Sequence, residues 1–340
     1  MRRPALTAAA LVIALVAAAG VAGIAPGAAN GGARGDGGEI VFTAKVGAHT
    51  QLFTIGADGT GLKQLTDLGH GTDALNPSWS PNGKQIIFER DFPAEHAGVY
   101  RINSDGSGLV ALTPRKTPKG YVYEAVPSYA PNGRKVVFTR QRCFTTTCTG
   151  PHDHVEAWTM SAKGTGRHRL TPYLADGKKG DRYIDYPAFS PNGKRVAFGK
   201  TTTGTAAIYV INANGKGLTR LTPAATQNDH PRWSPDGTEI AYTTDDQDTV
   251  RGKDPNIVVM HANGTKPTLL THYTGGGPEA YMDSWSPDGT MIVFHLKGTQ
   301  PDGSQVDQLY TMSADGTNLR QLTHMPAGSG PSEASWTGSR

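Results

Sequence analysis

Carboxylates recur at one place in this chain. Asp73, Glu124, Asp185, Asp229, Asp283 and Glu333 stand two to six residues ahead of Trp79, Tyr129, Phe189, Trp233, Trp285 and Trp336. Acids gathered on one axis repel one another unless a cation, a basic partner or water relieves them, so a channel-bound calcium ion or a cationic peptide suits such a ring. His230 directly follows Asp229 and is the histidine best placed beside these acids. The plain alternative is that the acids point to water.

Two stretches combine cations with flat rings. One holds Arg115, Lys116, Lys119, Tyr121 and Tyr123, the other Tyr173, Lys178, Lys179, Arg182, Tyr183 and Tyr186. Brought together, they would suit an acidic polysaccharide or an acidic protein surface; otherwise they are solvated lysines above packed tyrosines. In "CTGPHDHVEAW", His152, His154 and Glu156 fall on one face of an extended segment and form a zinc-type set that still needs a ligand from elsewhere. Asp245, Asp246, Asp248 and Asp254 are a weaker calcium candidate, without EF-hand spacing. G-x-S-x-G, H-E-x-x-H and P-loop motifs are absent from the sequence, which leaves serine or zinc hydrolysis without visible machinery.

What must position these residues is a repeat. "PSWSPNGKQIIF", "PSYAPNGRKVVF", "PAFSPNGKRVAF", "PRWSPDGTEIAY" and "DSWSPDGTMIVF" alternate with a phrase that ends in Leu-Thr, closed by Thr66, Thr113, Thr171, Thr222, Thr271 and Thr323. Self-similarity at a period of about 50 residues means a solenoid, a propeller or an array. Each phrase places short β-rich runs on either side of a Gly/Pro/Asn/Asp turn, so a repeat is an antiparallel meander of four strands, a to d. Strand b is apolar on consecutive residues, as in Ile86-Ile87-Phe88, so both faces of each sheet are covered. Sheets stacked face to face around an axis satisfy that requirement. The spacing therefore predicts an all-β, six-bladed β-propeller of four-stranded antiparallel blades, with the aromatic of strand a packed between neighbouring blades. The a–b and c–d turns fall on one face, and the longer b–c and d–a loops on the other, where binding residues are expected.

These phrases resemble the TolB-like propeller repeats, whose signature is S-P-D-G-x-x-I-x-F followed by D-G-x-G-x-x-x-L-T, and the resemblance runs over nearly all of Glu39 to Thr337. It implies the propeller fold, and it spans periplasmic scaffolds, domains of peptidases and oligogalacturonate-lyase-like enzymes. The α/β domain that precedes the propeller in TolB itself is not expected here.

Residues 1–29 read as a secretory leader, with Arg2 and Arg3 ahead of an Ala/Leu/Val run. Residues 30–340 are then one propeller, secreted or held in the periplasm or cell envelope, and membrane-attached only if the leader stays uncleaved. Without Arg2 and Arg3 the chain carries 31 basic against 29 acidic residues, so bulk attraction to nucleic acid is not indicated. Cys143 and Cys148 are expected to form a disulfide that staples one loop of an exported protein.

"SEASWTGSR" repeats only the first half of the turn phrase, and the N-terminal "RGDGGEIVF" supplies the second half. The C-terminal strand is thus expected to complete the N-terminal blade and close the ring. The expected role is a monomeric, non-catalytic scaffold that binds a protein or cell-surface polysaccharide through its b–c/d–a loop face, with no cofactor unless calcium sits in the channel. The alternative is a metal-dependent lyase or hydrolase acting on acidic oligosaccharides.

Overall fold

The repeated turn folds as its residue types require. The Gly83 amide donates to the Ser80 carbonyl at 2.9 Å, and the Gln85 amide donates to Ser80 Oγ at 2.9 Å. Gly83 has φ of +64°, the left-handed value of the bulge residue after a type I turn, and Gly133, Gly193, Gly237 and Gly289 repeat it. Each turn therefore reverses the chain between two antiparallel strands.

The computed structural model describes residues 37–69, 71–92, 97–113, 121–143, 155–171, 183–202, 205–223, 226–245, 255–274, 277–299 and 307–337. All of them lie within the unit Ala33–Arg340, and the leader assigned to residues 1–29 lies outside them. They form six four-stranded antiparallel sheets, with no helix among the described residues. Strand a of blades two to six is Asp73–Trp79, Tyr121–Tyr129, Tyr183–Phe189, Gln227–Trp233 and Glu279–Trp285. Blade one takes its strand a from the other end of the chain. Ser332–Thr337 pairs antiparallel with Glu39–Val46, setting Trp336 opposite Ile40 and Thr337 opposite Glu39. The ring closes as the divided phrase implied.

Six apolar clusters hold the blades together, one per interface. Trp79 packs with Val41 and Leu52 of blade one and with Ile86 and Phe88 of its own blade, while Ile87 faces the other way, toward Tyr129 and Val136 of blade three. Consecutive apolar residues on strand b thus serve two interfaces. The strand-a aromatics are all buried, from Trp79 at 5% exposure to Phe189 at 9%. Burying such a ring contributes about 1.5–3 kcal/mol, so the stripe is ring packing and not an open ligand platform.

The Leu-Thr ending has two jobs. Its threonine Oγ1 accepts a backbone amide of strand c in every blade, from Leu52 N to Thr66 at 2.9 Å through Leu309 N to Thr323 at 2.9 Å. Its leucine carbonyl meets the c–d turn of the next blade, where Gly106 and Gly264 lie so close that a Cβ would come within 2.8 Å of Leu65 O and 2.9 Å of Leu221 O. The outermost strand is only two residues long, as in Lys63–Gln64 and Thr219–Arg220, which leaves little free edge for aggregation.

Candidate functional site

Strand a does not run straight. In blades two to five a proline stands two residues before the aromatic: Pro77, Pro127, Pro187 and Pro231. Proline has no amide to give to the ladder, and the pairing with strand b shifts register there, between Leu75 and Ser78 in blade two and between Asp229 and Arg232 in blade five. The residue before each proline takes a left-handed backbone: Asn76 at φ +51°, Val126 at +47°, Tyr186 at +48° and His230 at +51°. Glu333 does the same at +55° in blade one. Such a conformation costs on the order of 1–3 kcal/mol for a non-glycine residue, most of all for β-branched Val126. All five residues line one axial cavity of about 140 Å³, together with Arg232 and Asp283. The bulge thus presents one side chain per blade to the axis.

Beside this channel lies a second cavity of about 190 Å³, bounded by strand a of blades two, three and four. Tyr123, Tyr183, Asp185 and Tyr186 line it, as do Asn76, Val126 and Glu89. Tyr183 opens strand a of blade four, Tyr123 and Asp185 stand third in theirs and Val155 opens strand c of blade three, so the cavity reaches the face of the d–a and b–c loops, and Tyr183 at its edge is 52% exposed.

A network of rings and ion pairs spans the channel. The Tyr186 ring stacks on His230 at a centroid separation of 3.5 Å, and the Arg232 guanidinium lies 5.6 Å from the Tyr186 centroid. His230 Nδ1 donates to Asp229 Oδ1 at 2.7 Å, and His295 Nδ1 donates to both oxygens of Asp283 at 3.0 Å. Tyr281 stands between the two imidazoles, stacked on His295 at 4.9 Å and edge-on to His230 at 5.9 Å. Arg232 Nε donates to the Asp283 carbonyl at 2.7 Å, and the Asn76 amide donates to Glu333 Oε2 at 2.6 Å.

Burial sets the protonation of these groups. It pushes the Glu89 carboxyl up to about 7, against hydrogen bonds from Tyr123 and Asn76 that favour the ionised form. It also raises Asp185 to about 6, with His230 opposing, and moves Glu333 upward. Burial disfavours a charged His295, but the Asp283 ion pair and hydrogen bond outweigh it and raise the imidazole.

The six acids do not share one ring. Asp283 and Glu333 line the channel, Asp185 lines the side cavity and Asp229 holds His230. Asp73 turns to blade one, where its Oδ1 accepts the Thr50 amide at 2.6 Å, and Glu124 is paired with Arg140 at 3.5 Å. Among the described residues no three His, Cys, Asp or Glu side chains are placed to hold a metal ion. Glu156 accepts from Trp158 Nε1 at 3.0 Å and Arg169 Nη1 at 3.3 Å; its expected co-ligands His152 and His154 lie outside the described residues. Arg115, Lys116, Lys119, Tyr173, Lys178, Lys179, Arg182 and Cys148 lie outside them as well, so of the two cationic loops the structure places Tyr123, Tyr183 and Tyr186, and it gives only the strand positions of Tyr121 and Cys143.

Glu89 and His295 escape notice in the sequence, yet an internal comparison exposes them. The residue after the strand-b aromatic is Thr43, Thr139, Gly199 or Thr243 in four blades, but Glu89 and His295 in blades two and six. Thr43, Thr139 and Thr243 tie strand b to the neighbouring strand a through their hydroxyls. In blades two and six the slot holds a titratable group instead.

The family model of the TolB beta propeller domain matches residues 181–334. An uncharacterized protein of Agrobacterium fabrum is 24% identical over 248 residues, which is 72% of this chain and 77% of that protein. A TolB homologue of Chlorobaculum tepidum is 33% identical over 132 residues, 38% of this chain but only 27% of the homologue's own length. The crystal structure of TolB from Acinetobacter baumannii shares the fold with a TM-score of 0.67 at 20% identity, covering 89% of this chain and 67% of that one.

Proposed function

The chain belongs to the TolB-like β-propeller repeat family, and within that fold we propose that it acts as an exported, non-catalytic binding module that takes a protein partner on its b–c/d–a loop face. One observation carries the reading: Tyr123, Tyr183, Asp185 and Tyr186, from two neighbouring blades, share a single cavity at that face. Tyrosine supplies large amphipathic contact area with few rotatable bonds, the property that serves recognition surfaces. Backbone strain at five channel positions lends further support, since strain of this kind collects at functional sites. Export rests on the arginines and Ala/Leu/Val run of the first 29 residues. A lyase acting on uronates has less in its favour, because the carboxyl groups that line the cavity, Glu89 and Asp185, repel a uronate carboxylate when ionised.

The test is site-specific photo-crosslinking in cells. A photoreactive residue in place of Tyr183 is expected to give protein adducts, while the same residue in place of Asn82, on the a–b turn face, gives none. Adducts from Asn82 alone, or from neither site, would remove the reading. Co-sedimentation with insoluble envelope polysaccharide in the absence of protein adducts would transfer it to a glycan.

A further inference from the structure

Glu89 is 2% exposed and still lines the side cavity. Its Oε1 accepts the Tyr123 hydroxyl at 2.6 Å, and its Oε2 accepts Asn76 Nδ2 at 2.8 Å and the Val126 amide at 3.3 Å. All three donors are neutral. Among the described residues no Lys, Arg or His forms an ion pair with this carboxylate, although Glu124, Glu156, Asp229 and Asp283 each have one. A carboxylate taken out of water without a positive partner is costly, and here Glu333 adds repulsion. Oε1 also keeps a lone pair that Tyr123 does not use.

The rest of the wall points to the same ligand charge. Asp185 borders the cavity, with its Oδ1 accepting the Tyr186 amide at 3.0 Å. Tyr123, Tyr183 and Tyr186 contribute rings, whose negative faces attract cations. At about 190 Å³ the cavity is smaller than the roughly 300–1,000 Å³ of drug-sized sites, which suits one head group on a stem and not a whole oligomer.

We propose that this cavity is a receptor site for a primary ammonium group on a short apolar stem, the chemistry shared by a lysine side chain, a chain N-terminus and an amino sugar. The ammonium donates to Glu89 Oε1 and the Asp185 carboxylate, and its stem lies along Tyr183. The inference rests on the binding-module reading and names what that face recognises.

Calorimetric titration of the whole chain with n-butylammonium chloride at fixed ionic strength tests it, with n-butanol and sodium butyrate as matched controls. The expected result is saturable binding of the ammonium alone, weakened about tenfold or more by Glu89→Gln and severalfold by Tyr183→Ala. If Glu89→Gln fails to fold, Asp185→Asn joins Tyr183→Ala in carrying the test, since the Tyr183 side chain is half exposed and its loss leaves the core intact. Acetyl-lysine amide with a free side-chain amine, glycinamide and glucosamine then identify the source by rank of affinity. Absence of saturable ammonium binding, equal binding of butanol, or affinity unchanged across the variants would overturn the proposal. Loss of ammonium binding with Tyr183 crosslinks intact removes this inference alone; ammonium binding without those crosslinks removes the protein-partner reading alone.

Discussion

Trp336 sits directly opposite Ile40 in the antiparallel pairing that joins the last strand of the chain to the first. Both side chains belong to one buried cluster with Val293 and Leu309 of blade six. The contact therefore closes blade one and seals it against its neighbour.

Loss of that ring should be felt as a core deletion. Trp336→Ala is expected to cost about 3–5 kcal/mol in denaturant unfolding. Leu319→Ala, at a site 53% exposed, should stay within about 0.5 kcal/mol. Equal stabilities of the two variants would refute the closure argument.

Glu89 predicts a pH dependence. Its folded value lies near 7 and its ordinary value at 4.5, so the native state holds a proton that the unfolded chain has released. Stability from this group is complete below 4.5 and is lost as pH rises through about 7, in total up to about 3 kcal/mol. Glu89→Gln should remove that slope whatever its constant offset. Parallel stability-against-pH curves for the two proteins between about pH 4 and pH 8 would show that the carboxyl is not buried as described.

The Leu-Thr threonine is testable at Thr222, whose Oγ1 accepts the buried Ile208 amide at 2.9 Å. Thr222→Val keeps the shape and orphans that donor, for an expected loss of about 1–3 kcal/mol. Thr222→Ser retains the acceptor and should recover most of it. Chemical denaturation of the three proteins decides the matter.

The c–d turn glycines differ from other left-handed glycines in what surrounds them. Gly264 has φ of +85° and a Cβ there would meet Leu221 O at 2.9 Å, whereas Gly47 has φ of +64° and nothing within 4 Å. Gly47→Ala should cost about 1 kcal/mol from the backbone alone, and Gly264→Ala distinctly more because the blade interface must also give. Identical thermal shifts would remove the interlock.

Much of the architecture was legible because the chain repeats itself. The turn phrase, the apolar pair on strand b and the Leu-Thr ending recur often enough to count blades, and Trp79 and Trp336 occupy the same slot without any structure in hand. The site was legible only in part. Tyr123, Tyr183, Asp185 and Tyr186 do meet, but Asp73 and Glu124 turn into the blades, to Thr50 and Arg140, and Glu89 went unnoticed because a lone acid in an apolar strand looks like an exposed edge residue.

The sequence alone determined the all-β class, the six blades, the packing role of the strand-a aromatics and the closure of the ring, since each follows from local turn chemistry and a period that sums to whole blades. Tertiary structure decided which acids reach the axis and which stay uncompensated. Asp185 and Asp229 each stand four residues before their aromatic, yet Asp185 lines the side cavity and Asp229 holds His230, so counting back from the aromatic cannot tell one from the other. The neighbours that set each charge, such as Glu333 beside Asn76 and Glu89, come together only when the two ends of the chain meet.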